Sequence, residues 1–163
     1  MYLSEKRMLK FTPKPIHPEK YLPALIEFCT KQDDIIALYL FGSRASGTQG
    51  ALSDIDIAVL LPQGSRQDFY NERELFYLGE VNEILHTDEV SFIVLNKAPL
   101  TVQYGVITDA KVLYSKDEEA RLLFEEAVID GYMDFKPVLD EYDREFVRQI
   151  KEGTAFGQQR TGS

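Results

Sequence analysis

The chain has 163 residues, 44% of them hydrophobic and 12% aromatic, and carries 27 Asp plus Glu against 18 Lys plus Arg for a net charge of −9. One domain with a proper core fits that length, and an acidic surface repels phosphate backbones, so a nucleic-acid partner is not expected. There is no apolar run long enough to span a membrane, the N-terminus has no signal-peptide core, and the lone Cys29 is no disulfide framework, so a cytoplasmic protein without a membrane partner is expected.

The first 20 residues are basic, with Lys6, Arg7, Lys10, Lys14 and Lys20 against Glu5 and Glu19, and read as a solvated terminus or, alternatively, a small docking arm. A helix is expected over 18–32, with Tyr21, Leu22, Leu25, Ile26 and Cys29 on one stripe and Cys29 as a buried core thiol. Strands are expected over 35–41 and 54–61, the second closed by Pro62-Gln63-Gly64. Ser65-x-x-Asp68 has the form of a capping box for a helix reaching Leu85, with Phe69, Phe76, Tyr77, Val81, Ile84 and Leu85 inward. A third strand over 89–95, a short helix from Pro99 to Asp109 and a last strand at Lys111-Val112-Leu113-Tyr114 follow.

Ser115-x-x-Glu118 is read as the cap of a final helical region, 117–152. Its apolar positions Phe124, Val128, Tyr132, Phe135, Leu139, Tyr142, Phe146 and Ile150 recur every three or four residues, and Gly131 and Pro137 predict a kink or break between them. The stripe is expected to pack on the sheet, with docking of a partner helix by its distal part as the alternative. The expected organisation is a single domain over 1–152, with a core of about 20–115, C-terminal helices over 117–152 and a disordered tail over 153–163. His17 and His86 lack ligand spacing and are expected at the surface.

Chemistry concentrates in residues 42–61. The apolar run Ile35 to Phe41 stops at Gly42-Ser43, and ten residues later Asp54-Ile55-Asp56 opens a second apolar run. Side chains two apart on a strand share a face, so Asp54 and Asp56 point together while Ile55 and Ile57 point away. Paired carboxylates are costly without a cation between them, and hard oxygen ligands suit Mg²⁺ or Mn²⁺ that completes its shell from substrate phosphates. Gly42 permits close approach of a ligand, Ser43 offers a hydroxyl and an amide to an anion, and Arg44 either adds charge on a phosphate or faces solvent. With 12 aspartates in the chain, about one Asp-x-Asp is expected by chance, so the weight rests on the combination of strand, Gly-Ser, fixed gap, Ser53-Asp54-x-Asp56 and strand.

Gly42-Ser43 followed by Asp54-Ile55-Asp56 resembles the signature of the nucleotidyltransferase superfamily with the DNA polymerase β-type fold. The small size is similar to its branch of minimal nucleotidyltransferases, the MNT proteins, and the resemblance covers about 20–115. It implies an α/β (α+β) nucleotidyltransferase fold, with a small mixed sheet flanked by helices and a C-terminal helical segment. It implies Asp54 and Asp56 as metal ligands and catalytic groups, with Gly42, Ser43, Arg44 and Ser53 holding the nucleotide. ATP would be the substrate and Mg²⁺ or Mn²⁺ the cofactor. Members of that branch serve as antitoxins that move AMP from ATP to a tyrosine of a HEPN-domain RNase toxin, which implies such a toxin as partner; homo- or hetero-oligomers are both open.

The chain departs from the pattern at one place. The resembled family has a third carboxylate on a later strand, and the segment Glu89-Val90-Ser91-Phe92-Ile93-Val94-Leu95-Asn96 holds Ser91 there. Glu89 shares the face of Ser91 and is the candidate third catalytic acid; otherwise that acid is absent. Two alternatives follow: a catalytically impaired nucleotide-binding antitoxin acting by contact alone, or transfer to a small molecule such as an aminoglycoside, which the short chain disfavours.

Overall fold

A computed structural model describes residues 17–42 and 54–153. The basic segment of the first 16 residues, Ser43, Arg44 and Ser53, and all of the expected tail except Gly153 lie outside the described residues.

Pro18–Lys20 makes one 3-10 turn, and α1 runs Leu22–Thr30 with Leu25 and Cys29, one turn apart, buried. Burial pushes the Cys29 thiol up to about 12, which leaves it an inert apolar group. The strands β1 (Ala37–Phe41) and β2 (Ile55–Leu60) pair antiparallel, with Ala37 opposite Leu60 and Phe41 opposite Asp56. Helix α2 (Gln67–Leu85) then carries the chain to β3 (Val90–Val94), which lies parallel to β2. Helix α3 (Leu100–Asp109) leads to β4 (Lys111–Ser115), antiparallel on the other side of β1, and α4 (Glu118–Lys151) follows. The strand order β3-β2-β1-β4 makes the expected mixed sheet.

The two central strands read as continuous apolar runs because both faces of the sheet are covered. On one face Leu38, Leu40, Ile55, Ile57 and Val59 pack with Leu25 and Cys29 of α1 and Tyr77, Val81 and Leu85 of α2. On the other, Ala37, Tyr39, Ala58 and Leu60 pack with Val106 of α3 and Phe124 and Val128 of α4. Burying each of the larger side chains contributes about 1.5–3 kcal/mol. Among the described residues, no helix is long and apolar enough to cross a membrane.

Three local expectations are corrected. Ser65-x-x-Asp68 does not cap α2: the N-cap is Arg66, whose side chain makes no capping hydrogen bond. The hydroxyl of buried Tyr70 occupies that turn instead, donating to the Pro62 carbonyl at 2.7 Å and accepting from the Ser65 amide at 3.2 Å. Phe76 is exposed and Tyr70 is buried in the α2 face, because Tyr70, Tyr77, Val81 and Leu85 form the inward row and Phe76 stands one residue off it. At α4 the cap is Asp117, which accepts from the Ala120 amide at 3.0 Å, while the Ser115 hydroxyl donates to the Glu118 carboxylate at 2.6 Å.

Helix α4 also differs from expectation, running unbroken through Gly131 and Pro137. Pro137 removes one hydrogen bond to the Met133 carbonyl, but residues 133–138 are exposed, where solvent can replace it. Packing on the sheet holds only for the proximal part, where Phe124 and Val128 are buried; Phe135, Tyr142, Phe146 and Ile150 remain exposed.

Candidate active site

The candidate site forms where β1 ends and β2 begins. Asp56 is the one β2 residue that is not buried, and alternation turns it to the face opposite Ile55 and Ile57. Across the pair stands Phe41, the last residue of β1, which walls the carboxylate with apolar surface. Gly42 comes next with φ +72°, in the left-handed region. A Cβ built on Gly42 would lie 2.2 Å from Asp56 Oδ2 and 3.1 Å from its Cγ. The left-handed backbone favours glycine, and a Cβ here would push aside the carboxylate packed over it.

Burial raises the Asp56 carboxyl above the ordinary carboxylate range, and the charge of Asp54 raises it further. Asp54 is exposed and immediately precedes β2. Two like charges at a strand's mouth, one half-buried, form a site whose electrostatic strain a cation relieves. The donor set of hard carboxylate oxygens beside a wall with no Cβ fits a divalent ion that takes its remaining ligands from water and phosphate.

On the neighbouring strand Ser91 stands in register with Asp56 and is exposed. Glu89 lies one residue before the register pair Ile55 and Val90; its carbonyl accepts from the Ile55 amide at 3.1 Å, and its own amide donates to Thr87 Oγ1 at 3.1 Å. The backbone thus fixes Glu89 at the same end of the sheet as Asp54. Among the described residues, no three His, Cys, Asp or Glu side chains converge as a metal-holding group, so Asp54, Asp56 and Glu89 are neighbours without forming a closed triad. Of the sequence-predicted residues, the structure brings together Gly42, Asp54 and Asp56. Ser43, Arg44 and Ser53 lie outside the described residues. Phe41 carried no motif; only the antiparallel register reveals it as the wall beside Asp56.

A four-stranded mixed sheet with a glycine turn after β1 and aspartates at the mouth of β2 is the frame of a nucleotidyltransferase. The family model described as polymerase beta, nucleotidyltransferase matches residues 24–119, and the chain belongs to this family and is a nucleotidyltransferase. It is 29% identical over 119 residues to the protein adenylyltransferase MntA of Aphanizomenon flos-aquae (strain 2012/KM1/D3), covering 69% of this chain and 79% of that one. Among solved structures it is similar to a toxin-antitoxin crystal structure with AMP-PNP, at 25% identity and a TM-score of 0.57, covering 77% of this chain and 98% of the other. A complex of the tri-AMPylated Shewanella oneidensis HEPN toxin with its MNT antitoxin shares the fold at 21% identity and a TM-score of 0.54, again covering 77% and 98%.

Proposed function

We propose that this chain moves AMP from ATP to a hydroxyl of a partner protein, a tyrosine of a HEPN-domain RNase toxin, and silences the toxin as its antitoxin. The observation that carries the reading is the half-buried Asp56 packed over the Cβ-free Gly42, with Asp54 beside it. The likeness to an adenylyltransferase, and to a toxin-antitoxin structure with AMP-PNP, supports AMP as the transferred group.

In this reading Asp54 and Asp56 would hold Mg²⁺ or Mn²⁺, which when bound neutralises phosphate charge and activates the acceptor. Gly42 leaves the Asp56 carboxylate open to the incoming phosphates, with Ser43, Arg44 and Ser53 assigned to the triphosphate. The acceptor oxygen bonds to the α-phosphorus, the bond from that phosphorus to pyrophosphate breaks, and the hydroxyl proton passes to Glu89. The chain's contribution is positioning and charge stabilisation.

Ser91 beside Asp56 favours a second reading, in which the site binds nucleotide without efficient transfer and the antitoxin acts by contact. ATP titration by calorimetry with and without Mg²⁺, followed by transfer of labelled AMP from α-labelled ATP to a HEPN-domain partner, separates the two. Magnesium-dependent binding and labelling, both lost in Asp54→Asn/Asp56→Asn, are expected for the enzyme. Toxin neutralisation without labelling would establish the contact reading instead.

A further inference from the structure

The distal part of α4 has a surface with no role in the candidate site. Tyr132 stacks on Tyr104 of α3, ring centroids 3.7 Å apart and planes 8° from parallel. Beyond it α4 runs on to Lys151, a further 19 residues or about 28 Å of helix, and the family match stops at residue 119. Phe135, Leu139, Tyr142, Phe146 and Ile150 continue the same face that buries Phe124 and Val128 against the body. Tyr142 is 70% exposed, and Phe135, Phe146 and Ile150 are each more than 40% exposed. An apolar face of this length on a helix with little else to hold it is the mark of a docking surface.

We infer that this face pairs with the same face of a second copy of the chain, the two helices running antiparallel. The spacing is compatible with that occupant. Phe135, Leu139, Tyr142 and Phe146 are separated by four, three and four residues, a pattern that reads identically in reverse. It is the alternation of a coiled-coil seam, and a two-fold axis between residues 140 and 141 sets Phe135 against Phe146 of the second copy and Leu139 against its Tyr142.

Charge agrees with this register. The seam is flanked on one side by Lys136 and Asp143, and the two-fold brings Lys136 alongside Asp143 of the second copy, twice over. The opposite flank brings Val138 alongside Glu145, with no like-charge pair. Lys136 holds Asp140 at 2.8 Å in its own helix, an exposed pair that exchanges partners at little cost.

Sedimentation of the full chain over a concentration series tests the pairing. A monomer–dimer equilibrium with a micromolar midpoint is expected. Phe146→Glu should sediment as a monomer throughout, with a thermal transition equal to that of the wild type below the association midpoint, because it lies beyond the core. Lys136→Glu and Asp143→Lys should each weaken association about fivefold or more, and the double swap should restore it to within about twofold. A wild-type chain that stays monomeric, including one that instead uses α4 to bind a toxin, overturns the proposal. So does a dimer that survives Phe146→Glu, or a charge swap that restores nothing.

Discussion

Gly42→Ala tests whether the candidate site depends on the absence of one carbon atom. The substitution places an alanine at φ +72°, which costs about 1–2 kcal/mol for an L-residue in the left-handed region. It also sets the new Cβ 2.2 Å from Asp56 Oδ2, so the carboxylate must withdraw by about 1 Å to reach van der Waals contact. The backbone cost alone lowers Tm by about 3–6 °C in a domain of this size. Displacing the carboxylate by that distance should reduce transfer about 100-fold. The assay is labelling of the partner with α-labelled ATP, paired with thermal melts in two backgrounds, wild type and Asp56→Ala. With the carboxylate gone, Gly42→Ala should retain only its backbone cost, and the difference between backgrounds reads the clash. Full transfer by Gly42→Ala, or an equal stability loss in both backgrounds, would refute the geometry.

Three further outcomes are expected. Ser91→Asp should raise transfer if the third acid is absent from the native site, whereas a loss of about 100-fold or more in Glu89→Ala would identify Glu89 as the base; no change in either variant would remove β3 from the chemistry. Because the Asp56 carboxyl sits above its ordinary range in the folded chain, its charged form is disfavoured there, and stability should fall as pH rises through that raised value and recover below the ordinary carboxylate range. Asp56→Asn should therefore be no less stable than wild type at neutral pH. An NMR titration of Asp54→Asn should move the Asp56 midpoint down without normalising it, burial being the larger cause. Tyr39→Phe removes a partly buried 2.9 Å bond to Glu125, which keeps Arg121 at 2.6 Å, so a loss of about 1 kcal/mol, or 2–4 °C in Tm, is expected by calorimetry.

Much of the sheet and the pair of aspartates were legible in one dimension because strand alternation and apolar runs are local properties. Asp54 and Asp56 had to share a face whatever the fold, and two strands covered on both sides had to read as unbroken apolar runs. Local patterns failed where a distant side chain competed: Ser65 had the letters of a cap, but Tyr70 held that turn. Gly131 and Pro137 had the letters of a break, but an exposed helix accommodates them. Residue order also did not reveal that Gly42 and Asp56, 14 positions apart, are in contact, or that Ser91 is the register partner of Asp56. Those relations come from strand pairing, which depends on the whole sheet. The fate of the α4 stripe was likewise undetermined by its period, because periodicity says which residues share a face and packing against the sheet and α3 decides how much of that face the body covers.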